Sequence, residues 1–202
     1  LLRAECYQDM IGDLWDPEES RALLEAVAAS PRYRGVRVCG YRDVNDASMT
    51  EQFAAMTFRF PAGFSYLSFR GTDSTIVGWK EDFNMAFCSP VPGQEYSVGY
   101  LNTVAERIHC PFYVGGHSKG GNLAVYSAAK SSGEIQERIV AVHNNDGPGF
   151  ARDMLDAPEY LRVAHKLHTF IPESSIVGVL LEHAEDYAVI DSANRSIMQH
   201  EP

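Results

Sequence analysis

Phe112-Tyr113-Val114-Gly115-Gly116-His117-Ser118-Lys119-Gly120-Gly121-Asn122-Leu123-Ala124-Val125-Tyr126 reads as a short apolar strand that runs through a glycine-lined turn into a helix. Ser118 stands between the two elements, with Gly116 two residues before it and Gly120 two after, and so fits G-x-S-x-G. Small neighbours permit a strained turn of this kind, a nucleophile elbow, which pushes the serine hydroxyl into a cleft. Ser118 is therefore the first candidate for a reactive group.

Outward from the elbow, strands and helices alternate. Before it, Phe64 to Phe69 forms a strand that ends in the polar turn Arg70-Gly71-Thr72-Asp73. Val77 to Met85 has the texture of a short helix, Ser89-Pro90-Val91-Pro92-Gly93 that of a loop, and Val98 to Ile108 that of a helix leading back to Phe112. After it, the elbow helix fits Lys119 to about Ser131 and is broken at Ser132-Gly133. A strand from Arg138 to His143 then ends in Asn144-Asn145-Asp146-Gly147-Pro148-Gly149. A helical stretch carrying Met154, Leu155 and Leu161 follows, then a strand from Lys166 to Ile171 ending in Pro172-Glu173-Ser174-Ser175, and a last strand from Asp186 to Asp191. At the other end, Asp16-Pro17-Glu18-Glu19 followed by Ala22, Leu23, Ala26 and Val27 predicts an amphipathic helix over 17–29, and Val36–Tyr41 and Ala54–Phe60 predict a strand pair. From Phe64 onward this alternation implies an open, mostly parallel sheet flanked by helices. The expected organisation is one domain over 1–202, with an N-terminal helix and early strands over 1–63 and the catalytic core over 64–202.

Composition narrows the class. A chain of 202 residues is long enough to bury roughly 70% of the surface its unfolded form exposes, so it needs no disulfide or metal staple. Lys and Arg number 17 and Asp and Glu 27, a formal charge of 17 − 27 = −10, which argues against a nucleic-acid groove or a general attraction to anionic membranes. Cys6, Cys39, Cys88 and Cys110 form no C-x-x-C pair and have no histidine at ligand spacing, so neither a zinc site nor a redox motif is expected. They read as reduced, mostly buried thiols. There is no apolar run long enough to span a bilayer, and Leu1-Leu2-Arg3-Ala4-Glu5 lacks the features of a signal peptide. The expectation is a soluble, cytoplasmic chain.

A serine hydroxyl is a weak nucleophile until a histidine takes its proton, and the histidine needs an acid to fix its tautomer and stabilise its charge. Groups that do chemistry in open parallel sheets gather beyond the carboxyl ends of strands, where Thr72, Ser118, Asp146, Glu173 and His200 all fall. Of the seven histidines, His143 lies within a strand and His165 and His168 flank the start of another, as structural histidines do. His109 precedes the elbow strand, on the side away from the site. His117 is expected to point away from Ser118 and to pack or hydrogen-bond locally. His200, beyond the last strand, is the leading base and His183, before that strand, the alternative. Asp146, in a Gly-Pro-Gly turn, is the leading acid, with a turn-capping role as its structural reading. Glu173, one strand later, is the alternative. The backbone N–H groups of Lys119 and Thr72 are the candidate oxyanion donors. Gly116 to Gly120 is not a phosphate-binding loop, because that motif needs Gly-Lys followed by Ser or Thr. The Lys119 side chain is expected to be a solvated charge at the rim.

These residues resemble the class 3 lipase group of α/β-hydrolases, through Phe69-Arg70-Gly71-Thr72 with Trp79 and Asp82 downstream and through Gly116-His117-Ser118-Lys119-Gly120-Gly121. The chain is more similar still to a bacterial domain family of unassigned function with that fold. The shared signatures are Ser118 to Ala124, Asn145 to Phe150, Ser175-Ile176-Val177-Gly178 and Gln199-His200. The resemblance implies an α/β-hydrolase fold, Ser118 as nucleophile, His200 as base and the backbone of Thr72 and Lys119 as oxyanion donors. Class 3 lipases carry an aspartate after the strand that here ends in Pro172-Glu173-Ser174-Ser175, where this chain has none. Asp146-Gly147-Pro148 instead resembles the acid-bearing turn of pancreatic-type lipases, one strand earlier.

The expected function is hydrolysis of a carboxylic ester, with a lipid or other small-molecule acyl ester as substrate and no metal or organic cofactor. The alternative is a catalytically silent module that binds a ligand or partner in the same cleft. Loops 84–97 and 172–185 are candidate covers for that cleft.

Overall fold

The computed structural model of the chain describes residues 17–46, 51–71, 90–192, 199 and 200. The chain divides into two compact units, Leu1–Val36 and Arg37–Pro202. In the first, α1 covers Pro17–Ala29, as the spacing predicts. Glu18 and Glu19 lie in its first turn, where the helix dipole favours negative charge.

The second unit is built on a seven-stranded sheet in the order β1-β2-β3-β4-β5-β6-β7. The strands are β1 (Arg37–Asp46), β2 (Glu51–Arg59), β3 (Ser65–Phe69), β4 (Phe112–His117), β5 (Ile139–Asn145), β6 (Leu167–Pro172) and β7 (Tyr187–Ile190). β1, β2 and β3 pair antiparallel, and β3 through β7 pair parallel. Helices make the crossovers: α2 (Pro92–Arg107) joins β3 to β4, and α3 (Lys119–Lys130) with α4 (Gly133–Arg138) joins β4 to β5. α5 (Arg152–Leu155) and α6 (Pro158–Ala164) join β5 to β6. The early strands thus belong to the same sheet as the rest.

α2 and α3 pack against the sheet and each other, and the core lies between. In β3 the alternation places Ser65, Leu67 and Phe69 inward; Val114, Leu101, Leu123, Ala124, Ala128 and Val142 complete a region from which water is excluded. That burial is the main force holding the site's supports in place.

Several element boundaries differ from the sequence expectation for identifiable reasons. α2 starts at Pro92, so Pro92 and Gly93 are helical and not loop. Proline is compatible with a first helical turn, where its missing N–H would have no intrahelical acceptor. The Gln94 side chain, in the third helical position, also accepts from the Val91 N–H at 3.1 Å and so caps the helix start. α4 begins directly after Ser132, whose hydroxyl accepts from the Ile135 N–H, so the residues read as a helix breaker also start a new helix. The stretch with Met154, Leu155 and Leu161 is two short helices. The break resets the helical phase, leaving Tyr160 and Val163 buried and Leu161 exposed. β1 runs on past a bulge between Cys39 and Arg42, with Gly40 at φ 65°. As an edge strand it tolerates charged residues that interrupt the apolar alternation. Cys39 is exposed, not buried, and Cys110 half-buried, both as free thiols; Cys6 and Cys88 lie outside the described residues. The predicted helix over 77–85 also lies outside them, as does 84–89 of the first candidate cover. Among the described residues no helix is long and apolar enough to cross a membrane.

Candidate active site

The turn around Ser118 is dictated by three backbones that nearly touch. A Cβ on Gly116 would lie 2.5 Å from the carbonyl oxygen of Phe69, and one on Gly120 would lie 2.3 Å from the same atom. Only glycine allows β4, the start of α3 and the end of β3 to come this close. Ser118 itself has φ 57° and ψ −131°, a conformation that costs a non-glycine residue on the order of 1–3 kcal/mol. It is held there by its own N–H donating to the Asn145 carbonyl at 2.9 Å, and by its carbonyl accepting from the Gly121 N–H at 2.9 Å. The following N–H, that of Lys119, is the first of α3, where no intrahelical acceptor exists.

The acid turn is as tightly fixed. Asp146 follows β5, has φ 54° and is 3% exposed, and its N–H donates to the Phe170 carbonyl at 2.8 Å. The Asn144 side-chain oxygen accepts from the Gly147 N–H at 2.9 Å. Asn122, on the first turns of α3, donates its amide to the carbonyls of Pro148 and Gly149 at 3.0 and 3.1 Å and accepts from the Gln94 amide at 2.9 Å. One buried side chain therefore ties α2, α3 and the acid turn together.

His200 stands between these two turns. Its Nδ1 lies 2.6 Å from Asp146 Oδ2 and its Nε2 lies 2.8 Å from Ser118 Oγ. Ionised Asp146 can only accept, so Nδ1 carries the ring proton and donates; Nε2 is then the acceptor facing the Ser118 hydroxyl. Two contacts position this histidine. The neighbouring Gln199 side-chain oxygen accepts from the Ser174 N–H at 2.7 Å, and the His117 ring packs on the His200 ring with centroids 4.7 Å apart. Burial, followed by the adjacent His200, lowers the His117 pKa below its ordinary value; a hydrogen bond to the His200 backbone and the charge of Asp146 act in the opposite sense. His117 thus packs locally as expected, and what it packs against is the candidate base.

The alternatives lie elsewhere. Glu173 is exposed, and its backbone N–H donates to the Ile190 carbonyl at 3.2 Å. His183 faces Gly178 and Glu185, with Nε2 2.8 Å from the Gly178 carbonyl oxygen and Nδ1 3.2 Å from Glu185 Oε1. Thr72 lies outside the described residues, but Gly71 before it packs on the elbow: a Cβ there would lie 2.8 Å from the His117 carbonyl oxygen and 3.4 Å from Ser118 Cβ. The Lys119 side chain is not a solvated rim charge. It is 1% exposed, and its ammonium donates to the Gln52 carbonyl at 3.0 Å and to the Gln52 side-chain oxygen at 3.3 Å. His143 stacks beside Tyr66 and Tyr113, with ring centroids 5.9 and 6.0 Å away, and His168 packs on His143 at 5.7 Å. Sequence reasoning gave no role to Asn122 or Gln94. The available signal was an amide among the otherwise apolar or small residues of the elbow helix, where a buried polar group needs partners.

The family model described as Mbeg1-like matches residues 27–202. The chain belongs to the Mbeg1-like family. Among solved structures, this Mbeg1-like chain is similar to M37 lipase, with a TM-score of 0.57 and 14% identity over 85% of the chain and 66% of the lipase. A Rhizomucor miehei lipase deletion mutant in complex with its propeptide gives a TM-score of 0.58 and 16% identity, covering 98% of the chain and 74% of the lipase. A fungal lipase in an inhibitor complex gives 0.53 and 17%, covering 85% and 70%. The chain therefore spans about two thirds of the length of M37 lipase. At these identities the likeness establishes the fold, a lipase-like α/β-hydrolase. No curated protein matches the sequence.

Proposed function

We propose that this protein is a serine hydrolase that cleaves a carboxylic ester through an acyl-enzyme intermediate, with a lipid or other acyl ester as substrate. The observation that carries the reading is the continuous relay Ser118 Oγ to His200 Nε2 and His200 Nδ1 to Asp146 Oδ2, at 2.8 and 2.6 Å. In this reading Ser118 Oγ attacks the ester carbonyl carbon while His200 Nε2 takes the hydroxyl proton, and Asp146 stabilises the resulting imidazolium. The tetrahedral oxyanion is met by the Lys119 N–H and by the N–H of Thr72, the residue after Gly71 in the sequence. His200 returns its proton to the leaving alcohol as the carbon–oxygen bond breaks. A water then attacks the acyl-enzyme, again giving its proton to His200, which restores it to Ser118 as the carboxylic acid leaves.

The strained elbow supports this account, because Ser118 is held in a conformation that local sequence preference disfavours. The test is hydrolysis of p-nitrophenyl esters of graded chain length by wild type and by Ser118→Ala. The expected outcome is saturable hydrolysis by wild type that falls to near background in the variant. Equal rates for the two proteins would contradict the proposal.

A further inference from the structure

His183 lies outside the relay, and both of its ring nitrogens face groups that accept. Nε2 is 2.8 Å from the Gly178 carbonyl oxygen and Nδ1 is 3.2 Å from Glu185 Oε1. A neutral imidazole has a single N–H and would leave the other nitrogen's lone pair against an oxygen lone pair. Only the imidazolium donates to both. Glu185 is placed to carry the opposite charge: Oε1 accepts from the Thr169 hydroxyl at 2.6 Å and Oε2 from the Tyr160 hydroxyl at 2.7 Å, with its side chain 6% exposed.

The carbonyl held by His183 belongs to the residue that floors the acid. A Cβ on Gly178 would lie 2.2 Å from Asp146 Oδ1 and 3.1 Å from Ile171 Cγ2, so this backbone packs directly on the carboxylate. The surrounding loop is pinned on both flanks. The Gly178 N–H donates to the Ser175 hydroxyl at 3.0 Å, the Gly149 N–H to the Leu180 carbonyl at 2.9 Å, and the Phe150 N–H to the Glu182 carbonyl at 2.9 Å. Leu181 is held at φ 64°, which a bulky residue adopts only when its surroundings enforce it. Among the described residues of this loop, His183 is the ionisable side chain that reaches the Gly178 carbonyl, while Glu182 at its outer flank pairs with Arg152 at 3.3 Å.

We propose that His183 is a positioning residue: as an imidazolium clamped between Glu185 and the Gly178 carbonyl, it holds loop 173–185 against Asp146 and sets an alkaline limit on turnover. This rests on the serine-hydrolase reading above. Among the described residues, the titratable groups around it are Glu185 on its own segment, Tyr187 on β7 with ring centroids 6.0 Å apart, Tyr160 on α6 acting through Glu185, and Asp146 beyond Gly178. Burial pushes the His183 pKa down, but the Glu185 hydrogen bond and charge, with the Gly178 carbonyl, outweigh it and hold the pKa above the ordinary histidine value. A raised histidine pKa contributes fully below the unfolded value of about 6.5 and is lost as the pH climbs through the folded value. The clamp is therefore closed below the ordinary histidine value and released as the pH climbs through the raised one.

The experiment combines histidine-ring nitrogen NMR of the wild-type chain with p-nitrophenyl butyrate kinetics across pH. His183→Gln identifies the His183 signals and mimics the neutral ring, with one donor and one acceptor. The expected result is a doubly protonated His183 ring at pH 7, titrating at the midpoint of an alkaline fall in kcat. His183→Gln should lose about 10- to 100-fold in kcat at pH 7, with KM little changed and that alkaline limb absent. A ring carrying one proton at pH 7, or a variant with wild-type kcat and an intact alkaline limb, would overturn the inference. The NMR reading decides the charge even if the variant folds poorly. Wild type that hydrolyses no ester while His183 is doubly protonated counts against the hydrolase reading and the alkaline limit, but not the clamp.

Discussion

Asp146 and Glu173 follow adjacent parallel strands, but only Asp146 is buried and in contact with His200. If Asp146 orients the base, Asp146→Asn should leave the fold intact while presenting a donor where His200 Nδ1–H needs an acceptor. In Ser-His-Asp triads that change favours the wrong tautomer and lowers kcat by about 10⁴. Ester hydrolysis by Asp146→Asn and Glu173→Gln should therefore separate widely, with the first nearly inactive and the second within about twofold of wild type; the reverse order would assign the acid to Glu173. At this scale the sequence is informative about which chemical groups stand at strand ends. It is uninformative about burial set by distant partners. Lys119 reads as a surface charge because the acceptors on Gln52 that receive its ammonium lie 67 residues away in the chain. His183 reads as a spare base for the same reason, since Gly178 and Glu185 give it another role only once the loop is folded.

Between elements, the supports of the site are polar cross-links inside an apolar shell. Replacing Asn122 with alanine removes two donations to the buried carbonyls of Pro148 and Gly149 in the acid turn and the acceptor of the Gln94 amide. Each buried group left without a partner costs about 1–3 kcal/mol, so the urea midpoint of Asn122→Ala should fall clearly and its ester hydrolysis with it. An unchanged midpoint would show that the acid turn holds its shape unaided. Gly120→Ala drives a methyl to 2.3 Å from the Phe69 carbonyl oxygen, and overpacking of this kind costs about 1–3 kcal/mol or more. Its midpoint should fall as well, and a variant as stable as wild type would contradict the close-approach account. β3, β4, β5 and β6 were legible as apolar runs bounded by turn residues, and the glycines around Ser118 as a turn. The start of α2 was not, because Pro and Gly mark loops in general, whereas here the side chain of Gln94, the third residue of the helix, makes them a helix start by accepting from the Val91 N–H.

For the molecule as a whole, the mostly parallel sheet explains why residues far apart in the chain converge: parallel register carries Ser118, Asp146 and the β6–β7 loop to one edge of strands β4 to β7. A second buried carboxylate, that of Glu185 just before β7, also makes stability depend on pH. Burial alone would raise the Glu185 pKa, but hydrogen bonds from His183, Thr169 and Tyr160 hold it down at about 2. Its contribution is present above the unfolded value of about 4.3 and is lost as the pH falls from there toward 2. In urea unfolding, the stability gap between wild type and Glu185→Gln should narrow over that interval. A gap that stays constant would mean Glu185 gains nothing from its charge. The central claim is that Ser118 is a nucleophile activated by His200, and active-site labelling with a fluorophosphonate followed by peptide mass spectrometry tests it most directly. The account predicts one adduct, on Ser118, that forms readily in wild type, much more slowly in His200→Ala and not at all in Ser118→Ala. Labelling that is unchanged by either substitution, or no labelling of the wild type, would contradict it.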